Sequence, residues 1–152
     1  MLGRRAVAKV SSKPGKTRTL NLFLCARSLV LADLPGFGYA KASKSEQRRW
    51  AGDVESYFAV RDSLRAVILL VDTRHFPMPA DLDAIDWFAA LGKPVLVVLT
   101  KADKVKRSDL NRRKADIAGI LKGKHVEFAV FSAKTAMGKK DVWTWIRETA
   151  SA

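Results

Sequence analysis

Cysteine is nearly missing from this chain, with Cys25 alone among 152 residues. One thiol excludes an internal disulfide and a cysteine metal cluster, and it fits a reducing compartment. At Cys25 the residue reads as a small buried strand side chain. Long apolar runs are also missing. The longest, Ala66 to Val71, is far short of the ~20 residues a membrane-spanning helix needs, so the chain is expected to be soluble, without a membrane partner, and cytoplasmic. No apolar block follows Arg4 and Arg5, which argues against a secretory signal. Acidic residues are scarce: lysine and arginine outnumber them 28 to 15, and the first acid is Asp33. An excess of thirteen positive charges is more than solubility requires and points to a polyanionic partner. The acid-free opening could pass for a mitochondrial transit peptide, but its residues also fit a motif described below. Repeats, low-complexity tracts and Pro/Gly/Ser linkers are absent, so residues 1–152 are expected to form a single domain.

What is present is an alternation of strand and helix patterns. Thr19 to Cys25 and Ser28 to Ala32 read as two strands close enough for a hairpin. Ser43 to Ala59 reads as a helix, with Ser43 as N-cap and Trp50, Val54, Tyr57 and Phe58 on one face. Ala66 to Val71 is a β-branched run suited to a parallel strand buried on both faces. A helix from Ala80 to Leu91 should turn Leu82, Ile85, Phe88 and Ala89 inward. Pro94 to Leu99 (strand), Ser108 to Leu121 (basic helix), Val126 to Phe131 (strand) and Lys139 to Thr149 (helix) complete the order. That order predicts a doubly wound α/β sheet, whose ligands bind beyond the carboxyl ends of the strands. Asp33, Asp72, Thr100 and Ser132 fall at those ends.

Three short segments occupy these ends in a telling order. Asp33-Leu34-Pro35-Gly36 places a carboxylate where it can hold a magnesium water and a glycine amide where it can approach a terminal phosphate. Alone it is an ordinary Pro-Gly turn. Thr100-Lys101-Ala102-Asp103 offers an aspartate able to accept from guanine N1 and N2, donors that adenine does not pair, while the Lys101 stem can lie across the base. Phe131-Ser132-Ala133-Lys134 can present a backbone amide to guanine O6, with Lys134 flanking the base. Each segment alone is a plain strand-to-helix connection; the three together, in this order, are much more specific.

On these segments the chain resembles the EngB-type GTPases, bacterial translation-factor-class enzymes associated with assembly of the large ribosomal subunit and with normal cell division and septation. The resemblance runs through Ser11-Ser12-Lys13-Pro14-Gly15-Lys16-Thr17, Leu20-Asn21-Leu22-Phe23, Asp33 through Lys41, Val71-Asp72-Thr73-Arg74-His75 and Leu99 through Asp103. It implies a three-layer, Ras-like P-loop GTPase fold with a mixed, mostly parallel sheet, binding GTP or GDP and Mg2+ and acting as a monomer on a large ribosomal subunit precursor. It further implies that Thr17 ligates magnesium through its hydroxyl and meets the γ-phosphate through its amide. Gly15, Lys16, Arg18 and Thr19 would line the same switch, Asp33 would hold magnesium through water, and Gly36 would sense the γ-phosphate. Arg18 stands where the family usually has glutamine. Phe37 follows Gly36 and cannot orient water as the glutamine of Ras-like enzymes does.

One part of such a domain is not in the sequence. No Gly-x-x-x-x-Gly-Lys-Ser/Thr follows a strand and opens a helix. Pro14-Gly15-Lys16-Thr17 mimics its second half, but Val10 replaces the first glycine and a strand, not a helix, follows. Gly138-Lys139 fails likewise, with Ala133 five residues before and Lys140 after. Met1-Leu2-Gly3-Arg4 resembles the end of the helix that normally follows the loop, so a start inside the domain is expected. Losing the strand before that loop would set its neighbours about 9.6 Å apart or force them to close up. The competing expectation is a nucleotide-free pseudo-GTPase, a basic module for RNA or ribosome contact.

Other residues carry no comparable signal. His75 and His125 lack metal-ligand spacing. Asp81, Asp83 and Asp86 suit the start of a helix and its dipole. Trp50, Trp87, Trp143 and Trp145 suit core packing. The stretch from Lys101 to Lys124, with Lys104, Lys106, Arg107, Arg112, Arg113 and Lys114, reads either as a solvated helix face or as a contact for ribosomal RNA phosphates.

Overall fold

The computed structural model describes residues 21–25, 29–34, 52, 54–58 and 63–151. Its contacts gather into two units, Met1–Leu64 and Arg65–Ala152.

In the first unit, strands β1 (Asn21–Cys25) and β2 (Leu29–Asp33) pair antiparallel. The register runs from Asn21 opposite Asp33 to Cys25 opposite Leu29. The expected antiparallel pairing of the two strands is therefore present. Cys25 is buried, as a small apolar strand residue should be. Residues 54–58 are helical, with Val54 buried inside the helix predicted there.

The second unit alternates strand and helix throughout. Its order is β3 (Val67–Asp72), α1 (Pro79–Ala90), β4 (Val95–Thr100), a 3-10 turn (Ala102–Lys104), α2 (Arg107–Leu121), β5 (Val126–Val130) and α3 (Lys139–Ser151). The three strands are parallel, with β4 between β3 and β5. Five consecutive residues of β4, Val95 to Leu99, are buried. A continuous apolar run is what a central strand with both faces covered requires, each such side chain contributing roughly 1.5–3 kcal/mol through removal from water.

β3 departs from the expectation of burial on both faces. Val67, Leu69 and Val71 are buried, yet Leu70 is 60% exposed. α1 packs on β3 and β4, and among the described residues no element covers the opposite face at Leu70. In α1 the buried residues are Ala84, Ile85 and Phe88, whereas Leu82 and Ala89, also expected inward, are half-buried. The Asp81 carboxylate accepts the Met78 N–H at 3.1 Å, closing the start of α1. Burial raises the pKa of Asp81 above the usual aspartate value. α2 is anchored by Ile117 and Leu121, and α3 by Val142, Trp145 and Ile146, an i, i+3, i+4 stripe. The Trp145 indole N–H donates to Glu127 on β5 at 2.7 Å, so the ring packs without an orphaned donor.

Candidate functional site

Parallel register brings the carboxyl ends of β3 and β4 level, with Asp72 opposite Thr100. The Thr100 hydroxyl donates to the Val71 carbonyl at 2.8 Å, and the Thr73 hydroxyl donates to the Thr100 carbonyl at 2.6 Å. The Thr73 N–H also reaches the Thr100 carbonyl, at 3.1 Å. Threonine at position 100 thus stitches the two strand ends together, and the fully buried Thr73 returns the bond. The chain then turns sharply. Lys101 has φ 58° and ψ 31°, a left-handed conformation uncommon for a residue with a side chain. That turn starts the 3-10 segment, buries Ala102 and delivers Asp103 to the surface loop.

The next strand end locks onto this loop. The Ala102 N–H donates to the Phe131 carbonyl at 3.2 Å, and the Phe131 N–H to the Leu99 carbonyl at 2.8 Å. Ser132, fully buried, donates its hydroxyl to Asp103 Oδ1 at 2.6 Å and accepts the Thr135 N–H at 3.2 Å. The Ser132 bond, ahead of the nearby Lys104 and Lys134 charges, lowers the Asp103 pKa below its ordinary value. Among the described residues no other side chain bonds this carboxylate, and no acceptor takes the N–H of Ala133 or Lys134. An ionised acceptor and two exposed residues with unbonded amides therefore lie on one strand-end loop pair, joined by the Ser132–Asp103 bond. Donors on a planar base edge and an acceptor oxygen beside them would find complementary partners there.

Gly138 shapes the second loop and was not singled out for that role by sequence reasoning. It has φ 70°, and a Cβ there would lie 1.8 Å from the Val130 carbonyl oxygen. A glycine following Ser132-Ala133-Lys134 and opening a helix was the available signal. Asp72 also gained no role from sequence beyond its place at a strand end. It accepts from Arg74 Nη2 at 2.6 Å and from Lys101 Nζ at 2.8 Å. The Arg74 bond is the main cause, with Lys101 adding to it, that holds the Asp72 carboxyl well below the usual carboxylate range. Burial opposes this effect.

In the other unit Asp33 is the exposed last residue of β2, followed by the half-buried Leu34. Gly15, Lys16, Thr17, Arg18, Thr19, Pro35 and Gly36 lie outside the described residues. An exposed carboxylate at a strand end suits a hard cation that keeps most of its waters. No group of three or more His, Cys, Asp or Glu that could hold a metal occurs among the described residues.

Residues 1–101 match the model of the 50S ribosome-binding GTPase family. The probable GTP-binding protein EngB of Lactiplantibacillus plantarum is 42% identical over 147 residues, spanning 96% of this chain and 75% of that protein. This chain belongs to the EngB family of GTP-binding proteins. The EngB protein of Limosilactobacillus reuteri is 44% identical over 152 residues, 97% of this chain and 76% of its own length. Among solved structures, a probable GTP-binding protein EngB superposes with a TM-score of 0.67 at 20% identity, covering 88% of this chain and 84% of that one. Elongation factor SelB of Methanococcus maripaludis, crystallised with the GTP analogue GppNHp, gives 0.63 at 20% identity over 88% of this chain and 28% of its own. These likenesses agree with the family match in fold: the EngB-family chain has the α/β fold of the P-loop GTPases, with a parallel sheet flanked by helices.

Proposed function

We propose that this chain reads guanine nucleotides through Thr100 to Asp103 and Phe131 to Lys134, as part of a GTPase switch for large ribosomal subunit assembly. In this reading it works in the cytoplasm as a monomer, needed for normal division and septation, with residues 1–152 as a single G domain. The observation that carries it is the Asp103 cluster: a carboxylate held ionised by buried Ser132, whose loop continues into the unbonded N–H groups of Ala133 and Lys134. Guanine presents two donors and one acceptor on the edge such a cluster faces. Adenine presents the opposite pattern at its exocyclic position and would leave the carboxylate opposed to an acceptor.

Family membership supports extending the site to the phosphates. Thr17 and Asp33 would then hold Mg2+, with Gly15, Lys16, Arg18 and Thr19 alongside and Leu34, Pro35 and Gly36 at the γ-phosphate. Bound there, the ion would neutralise charge on the phosphate oxygens. Large-subunit RNA, a polyanion, matches the thirteen excess positive charges.

Titration with fluorescent GTP and GDP, competed by unlabelled GTP, ATP and ITP, tests the guanine reading. GTP should compete at least about tenfold better than ATP, and ITP, lacking the N2 donor, should fall between them. Equal competition by ATP and GTP would overturn the reading. Loss of all nucleotide binding with RNA binding retained would replace it with a nucleotide-free RNA-binding module.

A further inference from the structure

Asp72 belongs to the Val71-Asp72-Thr73-Arg74-His75 segment, which the guanine reading leaves without a task. It lies one strand away from the guanine loop and 29 residues before Lys101, yet the two side chains meet. Lys101 Nζ donates to Asp72 Oδ2 at 2.8 Å. The same carboxylate is fixed from its own side: the Arg74 N–H donates to Oδ1 at 3.1 Å, and the Arg74 guanidinium spans both oxygens at 2.6 to 3.2 Å. The carboxylate is thus a clamped acceptor, held by a guanidinium whose planar fork suits both oxygens. Lys101 is the partner with freedom to lose, because its four-carbon stem is flexible and its side chain is 54% exposed.

Backbone conformation points the same way. Lys101 occupies the left-handed region at φ 58°, which a non-glycine residue holds only when its surroundings define it. On the backbone side, the Lys101 carbonyl accepts the Lys104 N–H at 2.9 Å, and Ala102 is tied to Phe131. On the side-chain side, Asp72 is the acceptor that the ammonium reaches. We propose that Asp72 is a positioning residue for the guanine site: by holding the Lys101 ammonium from β3, it lays the lysine stem along the face where the base binds. Asp72 itself need not touch the nucleotide. This inference rests on the guanine reading of the Lys101 loop.

A double-mutant cycle tests it. Asp72→Asn keeps the side-chain shape and removes the charge; Lys101→Met keeps the stem and removes the ammonium. Because both groups are partly exposed, Asp72→Asn should weaken GDP binding by about fivefold. Asp72→Asn added to Lys101→Met should weaken it no further, since the route through the ammonium is already gone. Arg74→Met, which frees the clamped carboxylate but keeps its charge and the Arg74-position backbone N–H bond, should weaken binding less than Asp72→Asn and likewise add nothing to Lys101→Met. Multiplying effects of Asp72→Asn and Lys101→Met, or no effect of Asp72→Asn, would overturn the proposal.

Amide resonances of the nucleotide-free chain give a second readout. Asp72→Asn and Lys101→Met should shift Ala102 and Asp103 to the same positions, and the double variant should add nothing. Unmoved Ala102 and Asp103 resonances in Asp72→Asn would overturn it even if no nucleotide binds. A chain that binds no guanine nucleotide but shows the shared shifts would instead sink the guanine reading while leaving the Asp72 tether intact.

Discussion

Ser132 is a small polar residue with no exposed surface, and its hydroxyl serves Asp103 on one side and the Thr135 N–H on the other. Ser132→Ala removes a donor to an ionised group and strands an amide. The bond favours the charged form of Asp103, so the folded-state pKa lies below the unfolded one. Its contribution to stability is present above the unfolded value and is lost as pH falls through the folded value. Ser132→Ala should therefore move the Asp103 titration midpoint upward toward the ordinary aspartate range, followed by carboxyl carbon NMR. It should also weaken GDP binding by about fivefold, the scale of one lost hydrogen bond. A midpoint that stays put would show that Ser132 does not hold the carboxylate. Thr100 and Thr73 illustrate a different use of hydroxyls. They join β3 to β4 directly and set the height at which the Lys101 loop leaves the sheet.

At the scale of elements, the strands and helices of the second unit were legible because burial writes its period into the chain. Val95 to Leu99 is apolar at every position since β4 is covered on both faces. The α3 stripe of Val142, Trp145 and Ile146 repeats at helical spacing for the same reason. The Asp103 and Ser132 loops were legible as candidates because each follows such a strand. Backbone details were not. The left-handed Lys101, the 3-10 turn at Ala102–Lys104 and the Asp72–Lys101 pair all depend on the register that sets Asp72 beside Thr100, a long-range fact no local pattern contains. The exposure of Leu70 escaped for a related reason: composition names an apolar run but not the elements that cover it. Gly138 is the sharpest instance. Its loop closes through Ser132 N–H donating to the Met137 carbonyl at 3.0 Å, which presses the glycine against Val130. In Gly138→Ala the added carbon meets a backbone carbonyl, and the positive φ adds strain of its own. The variant should lose about 2 kcal/mol or more in urea unfolding followed by circular dichroism. An unchanged midpoint would mean that the loop can relax away from Val130.

For the whole molecule, charge is the dominant fact, and its placement can be tested. Helix α2 buries Ile117 and Leu121 and turns Arg107, Arg112 and Lys114 to solvent, with Lys122 exposed just past its end. None of the ion pairs among the described residues uses these four. Lys124, by contrast, is bonded to Asp86 of α1. Arg107 and Lys114 are seven residues apart and share a stripe, whereas Asp109 and Asp116 each sit roughly 200° around the helix from them. The carboxylates thus leave that stripe uniformly positive. Phosphate contacts release condensed counterions, so binding to a large-subunit RNA fragment should weaken linearly in log salt, by about 0.7 to 0.9 log units per contact. Replacing both Arg107 and Lys114 with glutamine should lower the slope by about 1.5 and weaken binding similarly across RNA sequences. GDP binding serves as the internal control and should not change, since neither residue belongs to the Asp103 cluster. A slope that stays the same in the double variant would place the RNA surface elsewhere on this strongly basic chain. A loss confined to one RNA sequence would show base reading where only phosphate recognition is expected.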